Sequence, residues 1–170
     1  MRYLLIVSAT VLAALAACTS APPPAAPPPQ QPTVNAATQA AATKAHLASE
    51  KARLAALFRG TPVVFSLQPD GSMRVDVPLQ YSFDAGRAAV KPPLAAVLDR
   101  IVTGQRNELT RVAVSAPGDA AAPSPALGNE RSASLRDYCI AHGFPADRVS
   151  VAPNRAEASV RILVTDMALP

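Results

Sequence analysis

Few residues of this chain could do chemistry. Its 170 residues include two cysteines, Cys18 and Cys139, and two histidines, His46 and His142. His46 stands in an alanine-rich stretch and His142 just before Gly143, neither with the cysteine or carboxylate spacing that holds a metal, so no metal site is expected. No nucleophile has a base and an orienting partner at recognisable spacing, and the seven glycines form no phosphate-cradling loop. The chain therefore reads as a non-enzyme with no cofactor. Cys18 is the thiol with a context. Met1 and Arg2 are followed by an apolar run over 3–14 and by Leu15-Ala16-Ala17, so residues 1–17 read as a secretory signal too short to serve as a membrane span. With Cys18 at the cleavage point, Cys139 has no partner thiol, and in an oxidising compartment it is expected to be buried in the core.

Charge points to no nucleic acid. Sixteen Lys and Arg against twelve Asp and Glu give +4, and loss of Arg2 with the leader leaves +3. The basic residues are scattered from Lys44 to Arg161 with no aromatic ladder among them. Trp is absent and aromatics are 4%, so the core must rest on Val, Leu and Ile.

Those residues are positioned by four stretches of different texture. Residues 18–34 begin with Cys18 and carry seven prolines and no charge, which predicts an extended tether. In polyproline conformation its roughly 16 residues would reach about 50 Å. Residues 35–60 form an alanine-rich helix capped by Asn35 and stopped by Gly60, with Leu47, Leu54, Leu57 and Phe58 as its large apolar side chains. That thin stripe suits docking on the next domain or exposure to solvent better than a coiled coil. Residues 61–170 form one domain. Alternation in 63–67 and 73–79 around Pro69-Asp70-Gly71-Ser72 predicts a β-hairpin. Pro92-Pro93 opens a helix with Leu94, Val97, Leu98 and Ile101 on one face, and Ser124-Pro125 opens a second with Leu127, Leu135, Tyr138 and Cys139 inward. Strands are expected at 111–115, 149–152 and 158–165. The order implies an α+β two-layer sandwich, a mixed sheet with two helices on one face.

Two resemblances attach to these segments. Leu15-Ala16-Ala17-Cys18 resembles the lipobox of bacterial lipoproteins, which implies a lipidated Cys18 and, with Thr19 after it, outer-membrane sorting facing the periplasm. Several acyl chains on one residue hold a membrane firmly where one does not. In the domain, Tyr81-Ser-Phe83-Asp84-Ala-Gly86-Arg-Ala-Ala-Val-Lys91-Pro92, continuing through Leu98-Asp99-Arg100-Ile101, resembles the opening of OmpA-like peptidoglycan-binding domains. Leu127-Gly-Asn-Glu-Arg131, with Leu135, Tyr138 and Gly143, is similar to their second helix. The resemblance covers about residues 62–166, and the whole architecture is similar to peptidoglycan-associated lipoproteins.

The resemblance implies a site. Asp119, at the end of the strand beginning near Val112 and Val114, would accept from the ammonium of diaminopimelate in the wall's stem peptide, and Arg131 would clamp a carboxylate. Asp84, Gly86 and Ser124 would supply loop contacts. Two stretches depart from the pattern: Ala116-Pro117-Gly118-Asp119 stands where the family has Gly-His-Thr-Asp, and residues 151–160 lack its Asn-Arg-Arg motif. These departures keep a second reading open, in which the domain is a scaffold for another envelope protein.

Overall fold

Met73-Arg74-Val75-Asp76-Val77 alternates apolar and polar residues, and a strand with that period can bury one face while wetting the other. In the computed structural model, which describes residues 36–119, 124–153 and 158–167, it is the second strand of the sheet. The signal segment 1–17, Cys18, the tether 18–34 and the Asn35 cap lie outside the described residues. Strand β1 (Val64–Leu67) pairs antiparallel with β2 (Met73–Pro78), with Phe65 opposite Val75 and Leu67 opposite Met73. The predicted turn closes the hairpin. Asp70 Oδ1 accepts from the Ser72 N–H and hydroxyl at 2.8 and 2.7 Å, and Gly71 has φ +87°. The exposed Lys44 side chain of the first helix lies over Gly71, while the positive φ is what calls for glycine there.

The β2 strand stops at Pro78, and Leu79–Ser82 forms a single helical turn, α2. The sequence had placed residue 79 in the strand. Pro78 carries no N–H for a continuing ladder, and the buried Ser82 hydroxyl donates to its carbonyl at 3.0 Å. Helix α3 (Pro92–Gln105) follows the expected face, with Leu94, Val97, Leu98 and Ile101 all buried. Strand β3 (Thr110–Ser115) leads to helix α4 (Pro125–Ala141), then to a short 3-10 turn and to β4 (Val149–Val151) and β5 (Ser159–Asp166). Ser124 caps α4, its hydroxyl accepting from the Leu127 N–H at 3.3 Å.

The five strands lie in the order β1-β2-β5-β3-β4, so the last strand is central. It runs antiparallel to both neighbours, while β3 and β4 are parallel through the α4 crossover. Val75, Ile162 and Val114 lie side by side in the register and are buried, and with Val77, Val112, Val160 and Val164 they form the sheet's contribution to the core. The helices cover that face. The sequence expected two; α1 (Ala36–Leu57) joins them, packing on β1, β2 and β5 through the buried Leu47 and Leu54. Those two leucines are seven residues apart and stack on one stripe, whereas Leu57 rotates off it and is 51% exposed. No helix among the described residues is long and apolar enough to cross a membrane.

Cys139 sits in the core, 1% exposed, and burial pushes its thiol up to about 12. A thiolate is the reactive form, so maleimide at neutral pH is expected to leave Cys139 unlabelled in the native protein and to label it fully in urea. Rapid native labelling would show that α4 opens from the sheet far more readily than this packing implies.

Candidate functional site

Strand β3 ends at Ser115 and runs on into Ala116-Pro117-Gly118-Asp119, a loop that lies tight against the start of α4. A Cβ on Gly118 would sit 2.6 Å from the Ser124 carbonyl oxygen, so the close approach requires glycine at that position. The Ala116 N–H donates to the Ser132 hydroxyl at 2.9 Å, and that hydroxyl donates to the Gly128 carbonyl at 2.8 Å. Strand end and helix are thus fixed to each other by buried polar bonds.

One turn along α4 from Gly128, Arg131 points inward and is 0% exposed. A buried guanidinium must satisfy its rigid fork of donors. Nε donates to the Arg87 carbonyl at 2.9 Å, Nη1 to the Pro117 carbonyl at 3.0 Å, and Nη2 to the Asp84 carbonyl at 3.0 Å and to Asp119 Oδ1 at 2.6 Å. The guanidinium also stands over the Phe83 ring, 5.1 Å from its centroid. Asp119 is held from its other side by the Gly86 N–H, which donates to Oδ2 at 2.6 Å. The Arg131 guanidinium and the Gly86 N–H hold the Asp119 carboxyl below the usual carboxylate range. It is therefore ionised at neutral pH.

Above this network opens a cavity of about 740 Å³ lined by Pro78, Leu79, Phe83, Asp84, Lys91 and Asp119 among others. Of the residues named from sequence, Asp84 and Asp119 line it, Gly86 braces Asp119, and Arg131 lies beneath. The direct carboxylate clamp expected of Arg131 meets a fork already directed at three backbone carbonyls and Asp119. Ser124 is occupied as the α4 cap and is not among the lining residues. Sequence reasoning missed Lys91, whose ammonium bonds Asp84 Oδ1 at 3.1 Å and the Gln80 carbonyl at 3.1 Å in the cavity wall. Its sequence signal was its place in the segment that carries the resemblance, directly before the Pro-Pro start of α3, with no role attached to it.

Elsewhere, Tyr138 donates to Asp99 Oδ1 at 2.9 Å and stacks on His142, with ring centroids 4.0 Å apart. Burial and the Asp99 carboxylate push the Tyr138 phenol up to about 12. Among the described residues no group of three or more His, Cys, Asp or Glu could hold a metal ion.

No protein-family model matches the chain, and no curated protein matches it in sequence. Solved structures match it in fold. A MotB-like protein from Desulfovibrio vulgaris aligns with TM-score 0.57 at 13% identity, over 75% of this chain and 97% of that one. The cell wall anchor of the T6SS from Pseudomonas aeruginosa aligns with TM-score 0.54 at 20% identity, over 71% and 96%. A periplasmic domain of Helicobacter pylori MotB aligns with TM-score 0.50 at 16% identity, over 64% and 82%. A five-stranded mixed sheet with its helices on one face and the alignment to these structures together establish that the domain has the OmpA-like α+β fold.

Proposed function

We propose that this protein is an outer-membrane lipoprotein, anchored through Cys18, whose periplasmic OmpA-like domain binds peptidoglycan non-covalently at the Asp119 cavity. The observation that carries the reading is the Asp119–Arg131 pair at 2.6 Å, brought from a strand end and a helix to the edge of an open cavity. Asp119 keeps 20% of its side chain exposed while both carboxylate oxygens are fixed, so an approaching ammonium meets an oriented anion at little ordering cost. A single site of this kind is weak. Tethering to a membrane beside a repeating polymer raises the effective concentration of sites and makes weak contacts sufficient. The T6SS relative is itself named a cell wall anchor, which agrees with such a role.

The experiment is cosedimentation of the full chain, in detergent, with purified sacculi that contain diaminopimelate. Wild type is expected in the pellet, and Asp119→Ala is expected to lower apparent affinity by at least about tenfold, the scale of one lost charge-assisted bond. Equal sedimentation of the two would remove Asp119 from the site. Failure of wild type to sediment would end the cell-wall reading.

One observation favours a second reading, a scaffold for another envelope protein: Arg131 is enclosed, with its donors turned to its own backbone. A pull-down from crosslinked envelopes that recovers one stoichiometric protein and no wall fragments would decide for it.

A further inference from the structure

Among the described residues, the wall of the cavity holds one cation, Lys91, and two anions, Asp84 and Asp119. These three are not equally engaged. Asp119 is bound on both oxygens, and the cation behind it, Arg131, is out of contact with solvent. Lys91 and Asp84 instead face solvent, their side chains 32% and 64% exposed, and they pair at 3.1 Å. An exposed ion pair contributes little to stability and opens readily. Lys91 keeps its place when the pair opens, because its main-chain N–H donates to the Ser82 carbonyl at 3.0 Å and the next two residues are the prolines that start α3.

Opening that pair exposes one cation and one anion together. A ligand with only a carboxylate could take Lys91 but would leave Asp84 without its partner, and a ligand with only an amine would do the reverse. A zwitterionic centre satisfies both, so the exchange conserves the number of ion pairs. We infer that Lys91 is the carboxylate-reading residue of this cavity: it leaves Asp84 to take the carboxylate of a zwitterionic amino acid centre, whose ammonium lies toward Asp84 and Asp119. This rests on the cell-wall reading above and assigns within it the contact that the buried Arg131 fork is not placed to make.

The test uses two muropeptides that differ only at the free diaminopimelate centre, one with its carboxylate and one with that carboxylate amidated. Binding of each to the full chain in detergent is measured by calorimetry. Wild type is expected to favour the free carboxylate by about tenfold, roughly one charge-assisted contact. Lys91→Met keeps the apolar stem and loses the charge; it is expected to bind both peptides alike, at the level of wild type with the amide. Lys91→Arg is expected to restore discrimination. Discrimination undiminished in Lys91→Met, or absent in wild type that still binds both peptides and sacculi, overturns the assignment and leaves the cell-wall reading intact. Wild type that binds neither peptide nor sacculi sinks both. If Lys91→Met lost its native circular dichroism, the same comparison would be made with Lys91→Gln.

Discussion

Replacing Arg131 with methionine is expected to lower stability by about 3–5 kcal/mol, the cost of breaking a buried, hydrogen-bonded ion pair from one side. The methionine fills much of the volume over Phe83, so the loss is not chiefly a cavity. What is lost is the fork. The carbonyls of Asp84, Arg87 and Pro117 lose the donor they share, and a buried acceptor left unpaired, as at Pro117, costs about 1–3 kcal/mol, the two part-buried carbonyls less because water reaches them. Those carbonyls belong to two loops, one before α3 and one after β3, and the guanidinium ties both to α4. Lysine at this position keeps the charge and not the planar fork, so Arg131→Lys is expected to recover only a small part of the loss. Urea unfolding checks this: the midpoint falls and the slope stays the same. A loss below about 1 kcal/mol, the scale of an ordinary surface change, would mean that the loops hold their places without the guanidinium. The same argument bears on binding. An Arg131 variant that no longer sediments with sacculi could have lost the cavity walls, so it identifies no ligand contact; the discriminating variants are those at Asp119 and Lys91.

The elements around this site were legible because their signals are local. Pro92-Pro93 with four spaced apolar residues, Ser124-Pro125 as a cap, and an alternating hairpin around Asp70-Gly71 each carry their structure in a few neighbouring residues. The early end of β2 was less visible, since residue 79 continues the alternation and only the proline before it argues otherwise. Arg131 was visible as a motif position and not as a buried group. Between Glu130 and Ser132 it reads as a solvated charge, and two of the carbonyls that satisfy it come from residues 44 and 47 positions away. Lys91 was hidden for the same reason, because the cavity that makes it a recognition residue also takes in Gly118, Asp119 and Ala158, contributed by other parts of the chain. Long-range pairing also placed β5 at the centre of the sheet, which nothing in its own eight residues announces.

The Ala-rich helix gives the other large expectation, for Leu47→Ala with Leu54→Ala. Each leucine is at most 1% exposed, and truncating such a side chain costs about 2–5 kcal/mol. Together the two would cost more than a modest domain has to lose, if α1 could respond only by global unfolding. It has a cheaper response. Apart from these two side chains its seat is made chiefly by Ala55, the half-buried Phe58 against Phe65, the buried Glu50 beside Gly104 and a His46–Gln105 contact, so the helix can leave the sheet while β2, β5, β3 and α3 stay packed. The expected result is therefore local. Far-ultraviolet circular dichroism falls only partly, since 22 alanine-rich residues retain some helix on their own. Amides from Lys44 to Leu57 lose their protection from hydrogen exchange, while those of Val75, Ile162 and Val114 keep it. If the double variant instead lost protection in the sheet and in α1 together, the helix would be part of the cooperative core and not an element docked upon it. The sacculus assay separates the consequence for function: the cavity is lined from the end of β2, α2, the loop before α3, the loop after β3 and the residue before β5, so binding is expected to survive the undocking of α1.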